Sequence, residues 1–263
     1  MEVRQPPFFV RSPQAFFCGG LRTVRSSASS QMRKNLLFYL TFAYVLVFFV
    51  LPPAVMPFFS ERQTEIKALY PLSVFLNGGI AFLIYFFSEV RPRIFDTPPV
   101  PPSKKTPFFV FSGSALVCFG VLCVSSVIFE AVSFLLGIAP GIQGIVFPDS
   151  LPGIINFFFG VIFAALFEEV IYRFFLPHAM RKIVIHQGRR GQGSVRDVFL
   201  CEGIPVILFA AGHLYLGAFG FSNALICGIA LRVCMTRTRT LCVPLIVHAA
   251  YNFLTFAMYW KLG

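Results

Sequence analysis

Seven long apolar segments follow one another along the chain, at about 36–59, 72–88, 108–136, 154–176, 199–217, 219–235 and 241–260. Most approach the ~20 residues that a helix needs to cross a bilayer. No ten-residue alternation of polar and apolar positions runs through them. A β-barrel is therefore excluded, and helix is the form that satisfies the backbone internally in lipid. The fifth and sixth segments are the weakest, being divided only by a short turn at Gly217–Gly220. Pro52-Pro53 is expected to kink or end the first helix. Pro98-Pro99-Val100-Pro101-Pro102 reads as an extended linker outside the membrane. The reading is an all-α polytopic membrane protein of about seven helices, with its working core in the last four. Residues 1–35 form a basic tail, 36–136 accessory helices and 137–263 the core.

Composition agrees with this pattern. Of 263 residues, 57% are hydrophobic, 13% are charged, and the mean hydropathy is +0.77. A soluble domain of this size leaves too much surface exposed to hide so many apolar side chains. The net charge of +11 would suggest nucleic acid in a soluble protein. Here its distribution gives another meaning. With the N-terminus inside, 18 basic residues fall in inside segments and 3 in outside ones. That asymmetry is the one that orients membrane proteins, and it leaves the C-terminus outside. Residues 1–35 are Arg- and Ser-rich with Glu2 as their one acid, which fits either an organellar transit peptide or a basic tail. The seven cysteines match no zinc or disulfide spacing and read as small buried hydrophobes.

Ionisable residues inside apolar segments are costly and point to function. The fourth segment carries Glu168-Glu169-Val170-Ile171-Tyr172-Arg173, the fifth Phe209-Ala210-Ala211-Gly212-His213, and the seventh His248-Ala249-Ala250-Tyr251-Asn252. Glu169 and Arg173 are spaced for an i,i+4 ion pair, whereas Glu168 lies about 100° away around the helix. Phe209 is one turn from His213, and His248 one turn from Asn252. Counting from the inner helix ends puts all three motifs about 10–13 Å below the inner surface. Glu130 is read as interfacial, Glu202 and Asp197 as solvated at the inner edge, and His178 and His186 as inner-loop residues.

The residue types suggest amide hydrolysis. Glu168 can act as general base toward a water that His213 orients. His248 and Asn252 can hold the oxyanion of a tetrahedral intermediate. A metal reading uses Glu168, Glu169, His213 and His248 as ligands for zinc or another divalent ion, but without the spacing of a local zinc signature. Taken singly, a membrane histidine or an E-x-x-x-R pair is more often structural. The conjunction of three motifs favours function.

The three motifs, in this order, resemble the CAAX protease and bacteriocin-processing (CPBP) family, which includes the type II CAAX prenyl endopeptidases. The resemblance covers roughly residues 154–256. It implies an intramembrane endopeptidase acting on a membrane-associated, for instance prenylated, substrate, with the bilayer and no nucleic acid as its surroundings. It also implies water activation by Glu168 and His213 and an oxyanion hole from His248 and Asn252, with no obligatory metal cofactor, while the helical spacing makes Glu169, Arg173 and Phe209 supports. Competing expectations are a non-catalytic scaffold or immunity-type protein that keeps the polar cluster for folding, and a transporter, which lacks its expected internal repeat. The signatures of rhomboid-type, site-2-type and aspartyl intramembrane proteases are missing.

Overall fold

The computed structural model describes residues 35–36, 38–55, 58, 65–67, 78–79, 107–138, 144–146, 148–186 and 195–262. The basic tail up to residue 34, the Pro98–Pro102 linker and nearly all of the second apolar segment lie outside the described residues. The chain divides into two units, 1–43 and 44–263. The described residues of the first are helical.

Among the described residues, four helices are long and apolar enough to cross a membrane: Phe38–Val55, Phe109–Leu135, Leu151–Val184 and Leu214–Thr238. We label the helices α1 (Phe38–Val55), α2 (Pro107–Leu135), α3 (151–186), α4 (195–211), α5 (Gly217–Thr238) and α6 (Cys242–Leu262). The apolar stretch of α6, Cys242–Met258, is shorter than the four. Six of the seven apolar segments thus correspond to helices among the described residues, but only four meet the length and hydropathy of a span. The all-α expectation holds for the bundle, and outside it one short strand pair occurs among the described residues. β1 (Glu65–Lys67) and β2 (Gly144–Val146) pair in parallel, with Ile66 opposite Ile145. Backbone that leaves a helix must find other partners, and a three-residue ladder supplies them.

The interior is built where α2, α5 and α6 meet. Cys118 and Leu122 of α2 pack with Cys227, Leu231 and Cys234 of α5 and Val247 of α6. These positions recur at three- and four-residue intervals, one stripe per helix. The opposite faces carry exposed Phe109, Leu116 and Phe134, between 73% and 84% accessible. A helix that is apolar all round, with only one stripe buried in protein, is suited to lipid on the other side.

Among the described residues, three helices contain π-helical stretches: Leu46–Val50 in α1, Glu169–Phe175 in α3 and Phe199–Gly203 in α4. Each is followed, two residues past its end, by a proline: Pro52, Pro177 and Pro205. A helical proline donates no hydrogen bond and its ring collides with the carbonyl four residues earlier. The residue before each proline instead reaches one carbonyl further back. The N–H of Leu51 donates to Leu46 O, that of Leu176 to Ile171 O, and that of Ile204 to Phe199 O. The widened turn makes room for the ring, so the helix passes through the proline. The expectation that Pro52-Pro53 kinks or ends the first helix is accordingly refined, since α1 continues as helix to Val55. The fourth segment likewise does not end near residue 176. It runs to His186, so His178 and His186 belong to a helix and not to a loop.

The division between the fifth and sixth segments also shifts. α4 ends at Ala211, a short 3-10 turn covers Leu214–Leu216, and α5 already begins at Gly217. Gly217 has φ +83°, a conformation that side chains with a Cβ avoid. Gly220, expected in the turn, is inside α5.

Candidate active site

Glu168 closes the α-helical part of α3 and Glu169 opens its π-turn. Glu169, Arg173 and His248 are buried, at 0%, 1% and 5% exposure. The Glu168 side chain keeps 26%. A charge buried this deeply requires partners. Glu169 Oε1 lies 3.4 Å from Arg173 Nη1 and accepts a hydrogen bond from His248 Nδ1 at 2.8 Å. The guanidinium of Arg173 sits 3.7 Å above the centre of the Phe209 ring, a cation–π contact. Glu169 Oε2 and both terminal nitrogens of Arg173 have no hydrogen-bond partner among the described residues.

The hydrogen-bond network fixes which nitrogen of each imidazole is engaged. His213 Nδ1 donates to the carbonyl oxygen of Phe209 at 2.9 Å, so its Nε2 is the nitrogen left for other partners. His248 gives its Nδ1 proton to Glu169, and its Nε2 faces Glu168 Oε2 at 3.6 Å. Phe209 is the hub of the cluster. Its ring centre is 4.8 Å from that of His213, 5.5 Å from Tyr172 and 6.2 Å from His248. It reaches this place because Gly228 of α5 lets α4 approach. A Cβ on Gly228 would come within 3.0 Å of the Phe209 ring and 3.2 Å of Val206. Asn252 is half-buried one turn beyond His248.

Helical spacing within one segment shows the Glu169–Arg173 and Phe209–His213 relations. It does not show that His248, expected to work with Asn252, also stands between the two glutamates. That contact joins helices 79 residues apart. Other partners in and around the site also escape sequence reasoning. Arg232, expected among the inner-loop charges, is inside α5 at 14% exposure and donates from Nη1 to the carbonyl of Arg173 at 2.6 Å. Glu202, expected to be solvated, is paired with Arg232 and with Arg181. Asn223 of α5 accepts from Ser125 at 2.6 Å and donates to Ser126 at 3.0 Å and to Tyr251 at 3.3 Å, with Ser126 and Tyr251 also hydrogen-bonded to each other. The one sequence signal for any of these is Pro177, four residues after Arg173.

Among the described residues, no group of three or more His, Cys, Asp and Glu side chains is placed to hold a metal ion. Glu169 Oε1 is already engaged by His248 and Arg173, so the four-ligand set does not fit as the side chains stand.

Glu168 and Glu169 of α3 and His248 and Asn252 of α6 thus lie on helices, whereas His213, expected within a helical segment, lies in the turn just after α4 ends at Ala211. Residues 150–254 match the family model described as Rce1-like, type II CAAX prenyl endopeptidase Rce1-like, which represents a protease family. The matched stretch contains Glu168, His213, His248 and Asn252, and it confirms the resemblance carried by the three motifs. No curated protein and no solved structure matches the chain.

Proposed function

We propose that the protein is an intramembrane endopeptidase that hydrolyses a peptide bond in a membrane-associated substrate, with a prenylated CAAX-type C-terminus as the substrate class. The observation that carries this reading is the position of His248 between Glu169 and Glu168. Glu169 holds the imidazole by Nδ1, which aims Nε2 at the partly exposed Glu168 carboxylate. Glu168 takes a proton from the attacking water, and His213, anchored through Nδ1, orients that water with Nε2. His248 and the Asn252 amide together hold the oxyanion. Arg173 and Phe209 keep Glu169 in place.

The hydrolysis proceeds here by a glutamate-activated water without a metal. The commitment of Glu169 Oε1 to His248 and Arg173 supports this, because ligation would have to break a buried pairing. We further read seven spans, with the N-terminus inside, the C-terminus outside and the accessory helices within 36–136. The membrane is an organellar one if residues 1–35 are a transit peptide.

A non-catalytic scaffold is the second reading. It is favoured by the pairing of Glu169 with both Arg173 and His248, which would stabilise the bundle without any reaction. It gives no role to Glu168, which faces His248 Nε2 at 3.6 Å. Incubating the purified full-length protein with a farnesylated CAAX-type peptide separates the two. The peptidase reading expects cleavage by the wild type and none by Glu168→Gln. No cleavage by either would favour the scaffold, and equal cleavage by both would remove Glu168 as the base.

A further inference from the structure

The geometry points to Arg232 as a positioning residue that, with Glu202 and Arg181, braces the π-turn carrying Glu169 and Arg173. The starting point is Pro177. In an α-helix the residue at that place would donate to Arg173 O, which a proline cannot do. Membrane helices tolerate proline where neighbouring helices and π adjustments satisfy the freed groups again. Here both devices are present. The helix widens over Glu169–Phe175, and Arg232 of α5 supplies a donor, Nη1, to Arg173 O at 2.6 Å.

Arg232 is itself held. Its Nε is paired with Glu202 of α4, and Glu202 is paired with Arg181, which lies on α3 four residues past Pro177. The brace therefore grips α3 on both sides of the proline: at the Arg173 carbonyl before it and at the Arg181 side chain after it. This matters to the site because the gripped carbonyl belongs to Arg173. Its side chain faces Glu169, and Glu169 holds His248. A π-turn adds one residue to a helical turn, so its loss would rotate the two glutamates by about 100° against the anchored end of α3. Arg232 touches no reacting atom in this scheme. It acts through the backbone of Arg173.

The inference rests on the peptidase reading for its catalytic consequence but not for its structural one. The test uses the full-length protein in lipid nanodiscs with Arg232→Gln, Pro177→Ala and the double variant. Three quantities are measured: amide hydrogen exchange over 169–178, the thermal midpoint, and kcat and KM on a farnesylated CAAX-type peptide. Arg232→Gln should exchange faster over 169–178 and lose about 100-fold in kcat with KM nearly unchanged, the size expected when a site is misplaced by about an ångström. In the double variant the backbone N–H restored by Pro177→Ala can donate to Arg173 O. The midpoint should recover while kcat stays low, because the turn relaxes to the α-helical register. Recovery of kcat together with the midpoint would make Arg232 a purely stabilising residue and overturn the proposal. Wild-type exchange in Arg232→Gln would overturn it too. If the wild type cleaves nothing, the peptidase reading fails and the exchange measurement still decides the brace.

Discussion

Glu169 receives the Nδ1 proton of His248 at 2.8 Å inside the bundle, with the guanidinium of Arg173 3.4 Å from the same oxygen. One carboxylate oxygen thereby links α3 to α6 and fixes the orientation of the histidine that faces Glu168. The two adjacent glutamates, identical in chemistry, receive opposite assignments from their surroundings. Glu169 is completely buried and paired, whereas Glu168 is one-quarter exposed and turned to the site.

From this division follows the first expectation. Glu169→Ala leaves Arg173 buried without its anion and His248 without its acceptor. Removing one partner of a buried pair costs about 3–5 kcal/mol. Expression should fall and the thermal midpoint of whatever folds should drop sharply. A midpoint equal to the wild type's would show that the pair does not hold the bundle.

Glu168→Gln should behave in the opposite way. The amide is isosteric, the side chain is partly exposed, and the buried guanidinium of Arg173 keeps Glu169 beside it. The midpoint should stay close to that of the wild type while peptide cleavage disappears. Retained cleavage would remove Glu168 as the base.

The contrast between these two residues shows what the sequence could and could not convey. Spacing places Glu169 opposite Arg173 and Phe209 beside His213, because partners one turn apart are written in a single segment. The depth count expects the three motifs at one level, and the ring of Phe209 lies between His213 and His248. The pairing of His248 with Glu169, the clamp of Arg232 on Arg173 O and the Asn223–Tyr251 contacts all join different helices, and no periodicity encodes which faces meet. The π-turns are legible in principle, since each precedes a proline by a fixed distance. Reading proline as a helix breaker hides them, and with them the continuation of α3 to His186.

The polar contacts between α2, α5 and α6 yield a third expectation. Asn223, Ser126 and Tyr251 hold α6 in rotation, and Tyr251 is three residues from His248 and adjacent to Asn252. Interhelical hydrogen bonds in membranes average about 0.6 kcal/mol. Tyr251→Phe should thus lower stability only slightly, yet reduce kcat by freeing the helix that carries the oxyanion donors. A double-mutant cycle with Asn223→Ala should show coupling between the two. Strict additivity would mean that they do not act as one unit.

Phe209 offers a test of the packing beneath the site. Phe209→Leu fills much of the same space but removes the ring under Arg173 and beside both imidazoles. Loss of a desolvated cation–π contact is worth about 2 kcal/mol, and the thermal midpoint should fall accordingly. Gly228→Val should reproduce the defect from the other side, because its side chain would drive the ring away through contacts that already begin at 3.0 Å for a Cβ. If Gly228→Val leaves both the midpoint and cleavage unchanged, the close approach of α4 and α5 is not what seats Phe209.

Metal chemistry can be tested independently of any variant. A zinc ion on Glu168, Glu169, His213 and His248 would have to displace the His248 Nδ1 and Arg173 contacts from Glu169, leaving a buried guanidinium without its anion. The glutamate-water scheme therefore expects cleavage to survive prolonged chelation and not to rise when zinc is added back. It also expects the thermal midpoint to be the same with and without chelator, since an ion that binds only the folded state would stabilise it by an amount that grows with the logarithm of its free concentration over Kd. Loss of cleavage on chelation with recovery by zinc, accompanied by a matching change in midpoint, would require the side chains of Glu169 and His248 to rearrange, and would replace the water-activating role of Glu168 with that of a ligand.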